Sequence, residues 1–105
     1  VIAEGSFIAH HSHVGPMASI GRGAIINTGA IVEHESVVGD FSHVSVKSVI
    51  AGRSTIGSFS MLGAGAVIID GLLVGNHSVI GAGAVVCNAI TEPGVYVGVP
   101  ARKLK

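Results

Sequence analysis

Two histidines at a fixed spacing are the residues of this sequence best suited to catalysis. His34 lies between two acidic residues, Glu33 and Glu35, and His43 follows nine positions later. An imidazole beside a carboxylate is held in one tautomer, as a general base requires when it removes a proton from a substrate. The pattern therefore indicates His34 as a candidate general base. The alternative interpretation is a solvated histidine between two surface acids.

The elements that position these histidines follow from a strict six-residue period. Ile, Val or Leu occupies every sixth position from Ile2 to Val86, which is fifteen positions without an insertion. Two residues before these positions, from Ser6 to Ala84, Ser or Ala occurs at thirteen of fourteen sites, and Leu72 is the exception. Gly directly follows seven of the fifteen aliphatic residues, as expected where a strand ends in a tight corner. A helix would need a 3.6-residue period, so the pattern favours short strands.

The period predicts an all-β fold, a parallel β-helix in which three short strands make one triangular coil. Fifteen repeats give about five coils over residues 1–88, stacked at the spacing of paired strands, about 4.8 Å. Such a narrow prism has room for one branched aliphatic side chain per strand, with a small residue beside it. The period ends after Val86, because the next position in phase is Glu92. The prolines and glycines that follow predict a turn and an extended tail over residues 89–105.

Phasing the repeats assigns each polar residue to a corner or a face. His34 falls at a corner, one coil before Gly52, whereas His43 precedes an inward aliphatic residue and therefore points outward from a flat face. Nine residues are half a coil, so we expect His34 and His43 on different sides of one prism. They can share a site only if one of them comes from a neighbouring subunit. The spacing thus predicts a cyclic homo-oligomer with sites between protomers.

A second group of histidines, His10, His11 and His13, raises the alternative of a zinc site. Zinc needs at least three protein ligands that converge on one point. His10 and His11 are consecutive corner residues, whose side chains should diverge. We therefore expect no metal.

Composition and charge argue against several other classes of protein. Six basic and six acidic residues give a formal net charge of zero, so no global field attracts nucleic acid. No apolar run approaches the roughly 18 residues of a membrane span, and we expect no membrane insertion. The single cysteine, Cys87, cannot form an intrachain disulfide and fits a reducing compartment such as the cytoplasm.

Four motifs carry a more specific resemblance than the repeats alone. They are Ile26-Asn27-Thr28-Gly29, Glu33-His34-Glu35, Gly39-Asp40-Phe41-Ser42-His43-Val44-Ser45 and Gly94-Val95-Tyr96-Val97-Gly98-Val99-Pro100-Ala101-Arg102-Lys103. In this combination the whole chain resembles the C-terminal β-helix domain of bacterial hexapeptide-repeat sugar acetyltransferases, the sialic acid O-acetyltransferase and UDP-4-amino-sugar N-acetyltransferase family. The resemblance implies left-handed winding, an exception to the right-handed crossover rule. It also implies an N-terminal α/β domain that binds the sugar nucleotide, which we expect to be absent from this chain.

The resemblance assigns roles to residues of the second and third coils. By resemblance, His34 is the general base, Glu35 orients it, and His43 is a second active-site histidine near the acetyl group. Asn27 matches a polar residue on the sugar side. Gly52 matches the source of a backbone N–H for the thioester oxygen.

The resemblance places the contacts with coenzyme A further along the chain. The main chain at Ala64 and Ala82 matches the segments that touch the pantetheine arm. The C-terminal tail resembles a segment that closes on coenzyme A, where Arg102 or Lys103 would meet its phosphates.

The implied activity is direct transfer of acetyl from acetyl-CoA to an amino or hydroxyl group of a sugar or nucleotide sugar in bacterial surface glycan biosynthesis. The implied assembly is a cytoplasmic homotrimer. Two alternatives stay open. One is a catalytically silent β-helix that serves as a trimerisation module. The other is a zinc hydratase like the carbonic anhydrases of this fold, although the two histidines five positions apart that those enzymes use do not occur here.

Overall fold

The computed structural model describes all residues 1–105, and most of its strands are two residues long. It contains no helix, and therefore none that is able to cross a membrane. The strands are β1 (Phe7–Ile8), β2 (His13–Val14), β3 (Ser19–Ile20), β4 (Ile25–Ile26), β5 (Ile31–Val32), β6 (Val37–Val38), β7 (His43–Val44), β8 (Val49–Ile50), β9 (Thr55–Ile56), β10 (Met61–Leu62), β11 (Val67–Ile68), β12 (Leu73–Val74), β13 (Ser78–Ile80), β14 (Val85–Val86), β15 (Gly94–Val97) and β16 (Arg102–Lys103).

The strands form three parallel sheets, which are the three faces of a prism. The first face contains β1, β4, β7, β10, β13 and β15, the second contains β2, β5, β8, β11 and β14, and the third contains β3, β6, β9 and β12. Ile26 pairs with Val44 and Val44 pairs with Leu62, so each coil takes 18 residues. The predicted all-β, parallel β-helix of about five coils is therefore confirmed.

Three corners connect these faces and are named here by their order in the chain. The first corner joins the first face to the second, the second corner joins the second face to the third, and the third corner leads into the next coil. His34 lies in the second corner, between β5 and β6, whereas His43 is part of β7 on the first face.

The core is the column of aliphatic residues that the period predicts. Every member from Ile20 to Val86 is at most 2% exposed. The neighbouring small residues are buried as well, and several serine hydroxyls donate to corner carbonyls of the next coil, as Ser36 Oγ does to Ala51 O (2.8 Å) and Ser54 Oγ to Ile69 O (2.7 Å). Serine is tolerated in this core because a carbonyl oxygen satisfies its hydroxyl.

The glycines that follow the aliphatic residues have a different physical reason from the one we predicted. The left-handed backbone falls later in each corner, and non-glycine residues often adopt it, for example Glu35 (φ 60°) and Arg53 (φ 57°). The glycines are required for close approach between coils instead. A Cβ at Gly63 would lie 2.7 Å from Ala82 N, which is closer than packed atoms allow.

The C-terminal segment corrects the predicted boundary at residue 88. Val74 pairs with Ile90 and Ile80 pairs with Tyr96, so parallel pairing continues past Val86 in a coil that is two residues shorter. Tyr96 is 8% exposed and its hydroxyl donates to Glu92 O at 2.7 Å. Beyond it β16 turns back and pairs antiparallel with β15. The phase changes at this point, but the β-helix does not end there.

Candidate active site

The second corner holds His34 against a glycine of the next coil. His34 is half-buried, and its ring occupies the space where Gly52 would have a side chain. A Cβ built on Gly52 would lie 2.7 Å from Nε2 of His34. Gly52 is therefore needed for the space that it leaves to the imidazole, and no left-handed backbone is involved.

The main chain of Gly52 adds an unused donor beside this ring. Its carbonyl accepts a hydrogen bond from Gly71 N (3.0 Å), but its own N–H donates to no group of the chain. An imidazole and a free N–H thus lie next to each other. In acyl transfer these two groups can act as a general base and as a donor to the developing oxyanion.

The groups that contact His34 differ from those predicted. Glu35 does not hydrogen-bond to the imidazole, and its carboxylate lies 3.6 Å from Arg53 Nη1 instead. Glu33 pairs with Nε2 of His13 at 3.3 Å. The side chain that does reach His34 is Arg53, with Nη1 3.5 Å from Nε2. The side chain in contact with the imidazole is therefore a guanidinium and not the carboxylate that we expected.

Arg53 is distant from His34 in the sequence but close to it in the structure. Arg53 lies 18 residues after Glu35 and so stands directly above it in the next coil. Its second nitrogen, Nη2, lies 3.7 Å from the carboxylate of Asp70. Phasing places Arg53 above Glu35, but the reach of its side chain to His34 depends on side-chain conformation.

The first face carries a second group of polar residues. His43 points outward between Ile25 and Met61 of the neighbouring coils. Asn27 Nδ2 lies 3.1 Å from His43 Nε2. Ser45, the next outward residue, is 5% exposed, and its hydroxyl is the one buried side-chain polar atom without a hydrogen-bond partner.

An open groove of about 410 Å³ adjoins this group on the side of the first coils. Asn27 and Thr28 form one wall, and Phe7 and His10 belong to the coil below. The lining contains amide, hydroxyl, imidazole and aromatic groups but no carboxylate and no cationic ammonium or guanidinium. Such a lining suits an uncharged polar ring that can stack on Phe7.

The residues predicted to contact coenzyme A lie at two other places. Ala64 and Ala82 are exposed in the first corner, one coil apart, and neither N–H donates to a group of the chain. Arg102 and Lys103 form β16, where Lys103 Nζ lies 3.3 Å from Glu92 and Arg102 has no ionic partner. The first corner thus has unpaired main-chain N–H groups, and β16 has one cation, Arg102, without an ionic partner.

These residues do not converge within one chain. His34 and Gly52 occupy the second corner, whereas Asn27 and His43 lie on the first face, which is opposite that corner in a triangular prism. The fold therefore separates two half-sites. His10 and His11 have ring centroids 6.2 Å apart, and no three His, Cys, Asp or Glu side chains come together in a way that could hold a metal ion.

Known proteins with the same repeats and a similar structure support this fold. Residues 53–88 match the family described as bacterial transferase hexapeptide (six repeats). A GDP-perosamine N-acetyltransferase from Caulobacter crescentus, solved as a mutant with CoA and GDP-perosamine, is 30% identical with a TM-score of 0.89, and the match covers 100% of this chain and 53% of that one. The acetyltransferase domain of PglB from Neisseria gonorrhoeae FA1090, solved with acetyl coenzyme A, is 30% identical with a TM-score of 0.78, covering 98% of this chain and 53% of that one.

A serine acetyltransferase (CysE) from Neisseria gonorrhoeae is similar over a shorter part of its length. It is 28% identical with a TM-score of 0.78, and the match covers 85% of this chain and 38% of that one. The chain spans about half the length of the GDP-perosamine N-acetyltransferase and of the PglB acetyltransferase domain. Fold and repeats define it as a hexapeptide-repeat β-helix. Its predicted resemblance to the β-helix domain of bacterial sugar acetyltransferases is confirmed.

Proposed function

We propose that this protein is an acetyltransferase that moves acetyl directly from acetyl-CoA to an amino or hydroxyl group of a sugar or nucleotide sugar in bacterial surface glycan biosynthesis. The observation that carries the proposal is the placement of the His34 ring against Gly52, whose N–H is free. Further support comes from the structurally similar GDP-perosamine N-acetyltransferase, which was solved with CoA and its sugar nucleotide.

In the proposed reaction His34 removes a proton from the acceptor as its nitrogen or oxygen attacks the thioester carbonyl. The N–H of Gly52 donates to the oxygen as negative charge develops there, the C–S bond breaks, and coenzyme A leaves as a thiol with the proton that His34 took from the acceptor. General-base catalysis contributes about 10²–10⁴-fold, and one oxyanion donor a similar order. No nucleophile of the protein is needed, and Cys87 lies half-buried with Sγ 3.6 Å from Val85 O.

The proposed assembly is a homotrimer, in which the second corner of one protomer packs against the first face of the next. This contact would bring His34 and Gly52 to Asn27 and His43. The first face is suited to the role because apolar side chains line it on both sides of His43, with Phe7 59%, Ile25 36%, Met61 40% and Val79 41% exposed. An apolar, half-exposed stripe of this kind is typical of a surface that a partner covers.

The pantetheine arm of acetyl-CoA would lie along the first corner, where Ala64 and Ala82 offer unpaired N–H groups and only methyl side chains. Arg102 has no ionic partner and is free to bind a phosphate, whereas Lys103 must exchange its contact with Glu92. A cytoplasmic location belongs to the same proposal, because acetyl-CoA and the free thiol of Cys87 both fit a reducing compartment.

A mutational assay with acetyl-CoA tests the proposal. We expect the wild type to release coenzyme A thiol with at least one member of a panel of UDP-4-amino sugars and sialic acid. His34→Ala should lower turnover by about 10²-fold or more with little change in thermal stability, because a half-buried corner side chain contributes little to the core. His77→Ala is the control, since His77 is also a corner histidine but lies in the third corner, away from Gly52. Full turnover of His34→Ala would contradict the base assignment, and a wild type inactive with every acceptor would favour the silent trimerisation module.

A further inference from the structure

The guanidinium of Arg53 touches three groups at the second corner. Nη1 lies 3.5 Å from His34 Nε2 and 3.6 Å from the carboxylate of Glu35, and Nη2 lies 3.7 Å from the carboxylate of Asp70. No other side chain forms a hydrogen bond with the His34 ring. The proposed base is therefore in contact with a cation in the resting protein.

This contact, at 3.5 Å, favours one tautomer of His34. Arginine has only donors, so Nε2 must accept the hydrogen bond from Arg53. A neutral imidazole then has its proton on Nδ1 and its lone pair on Nε2. That lone pair is the one that a base presents to an acceptor, and the Arg53 N–H occupies the place where the acceptor's N–H or O–H must lie. Arg53 holds a suitable tautomer but has to move before His34 can act.

The remaining contacts of Arg53 are loose enough to be exchanged. They are longer than the roughly 2.7–2.9 Å of a charge-assisted N–H···O bond, and 60% of the Arg53 side chain is exposed. A phosphate or carboxylate can bind a guanidinium through two parallel hydrogen bonds, which a single loose carboxylate contact does not match. An anion that arrives from solvent could therefore draw the guanidinium away from His34.

We propose that Arg53 selects acceptors that carry an anionic group, phosphate or carboxylate, and that binding of this group releases His34 Nε2 for catalysis. The inference rests on the proposed function, in which His34 is the general base. It assigns to Arg53 both recognition of the acceptor and control over the base.

Nitrogen-15 NMR of the His34 ring tests the contact without any turnover. Inorganic pyrophosphate, glucuronate and glucose serve as the phosphate, carboxylate and neutral probes. We expect at least one anion to shift the Nε2 resonance of the wild type, and the responding probe identifies the anion class, whereas glucose leaves the resonance unchanged. In Arg53→Ala the resonance should be shifted from the start and should respond to none of them. If neither anion shifts the Nε2 resonance of the wild type, the proposal is overturned.

Kinetics with a matched pair of acceptors tests the selectivity. The pair is a UDP-linked amino sugar and the methyl glycoside of the same sugar, which lacks the phosphates. Arg53→Ala should lower the preference for the UDP-linked acceptor, measured as the ratio of kcat/KM values, by about tenfold or more, mainly through KM. Arg53→Lys should lose less, because lysine keeps the charge without the fork.

Arg22→Ala is the matched control, since Arg22 is an equally exposed arginine that lies 4.0 Å from Asp40 at the third corner. It should keep the preference of the wild type. An equal loss of kcat for both acceptors in Arg53→Ala would overturn the proposal, because Arg53 would then support His34 without selecting. Full turnover of His34→Ala would contradict the proposed function. The NMR experiment needs no turnover, so its result does not depend on that outcome.

Discussion

Asn27 Nδ2 lies 3.1 Å from His43 Nε2, although sixteen residues separate the two in the sequence. The contact arises because Ile25 pairs with His43 across successive coils of the first face, so Asn27 becomes the diagonal neighbour of the imidazole. An amide nitrogen only donates, so His43 Nε2 accepts and the neutral ring carries its proton on Nδ1. Two motifs that look unrelated in the sequence thus form one polar group.

Removal of the Asn27 amide should impair the orientation of His43. We expect Asn27→Ala to lower turnover about fivefold to tenfold, the cost of one neutral hydrogen bond that holds a catalytic group. The assay is thiol release at saturating acetyl-CoA and acceptor. Ser19→Ala, an exposed strand residue of the third face, is the control and should behave as the wild type. A normal rate for Asn27→Ala would show that this contact has no part in catalysis.

A methyl group at Gly52 should displace the His34 ring. The added Cβ would lie 2.7 Å from Nε2, so the half-buried imidazole must swing outward. We expect Gly52→Ala to lower turnover about tenfold or more while the melting temperature changes little. Because the loss acts through His34, the double variant Gly52→Ala/His34→Ala should be no slower than His34→Ala alone. Additive losses would contradict this explanation.

Two serines of the same coil should respond to alanine with opposite signs. The buried Ser45 hydroxyl has no partner, and an unsatisfied buried hydroxyl costs about 1–3 kcal/mol. Ser45→Ala should therefore raise the free energy of unfolding by about 1 kcal/mol. Ser48 Oγ donates to Ser45 O at 2.7 Å, so Ser48→Ala should lower it by a similar amount. Urea denaturation of both variants measures the difference, and a destabilised Ser45→Ala would show that the hydroxyl is satisfied in the assembled protein.

The fold could be predicted from the sequence because each coil repeats one packing solution. A triangular prism accepts the same aliphatic side chain at every sixth residue, so a single rule phases Ile2 to Val86. The rule fails at Ile90 and Tyr96, which pair in a coil two residues shorter. A buried tyrosine with its hydroxyl on Glu92 O is a different packing solution, and no period indicates it.

The candidate site could be predicted only in part. Phasing separated His34 from His43 and set Gly52 above His34, because backbone register alone determines those positions. The contact of Arg53 with His34 depends on long side chains that reach across coils. The rings of Phe41, Phe59 and His77 stack 5.5 and 5.4 Å apart along the third corner, and their spacing of 18 residues is a signal that could have indicated this stack.

Complementation between two inactive variants tests most directly whether each site is shared between protomers. His34→Ala and His43→Ala chains, each inactive alone, are unfolded together, refolded as mixed oligomers and assayed for thiol release from acetyl-CoA. A shared site predicts that some mixed interfaces join an intact His34 to an intact His43, so that a substantial fraction of wild-type activity returns. Mixed oligomers that form but stay as inactive as the two parents would contradict the account.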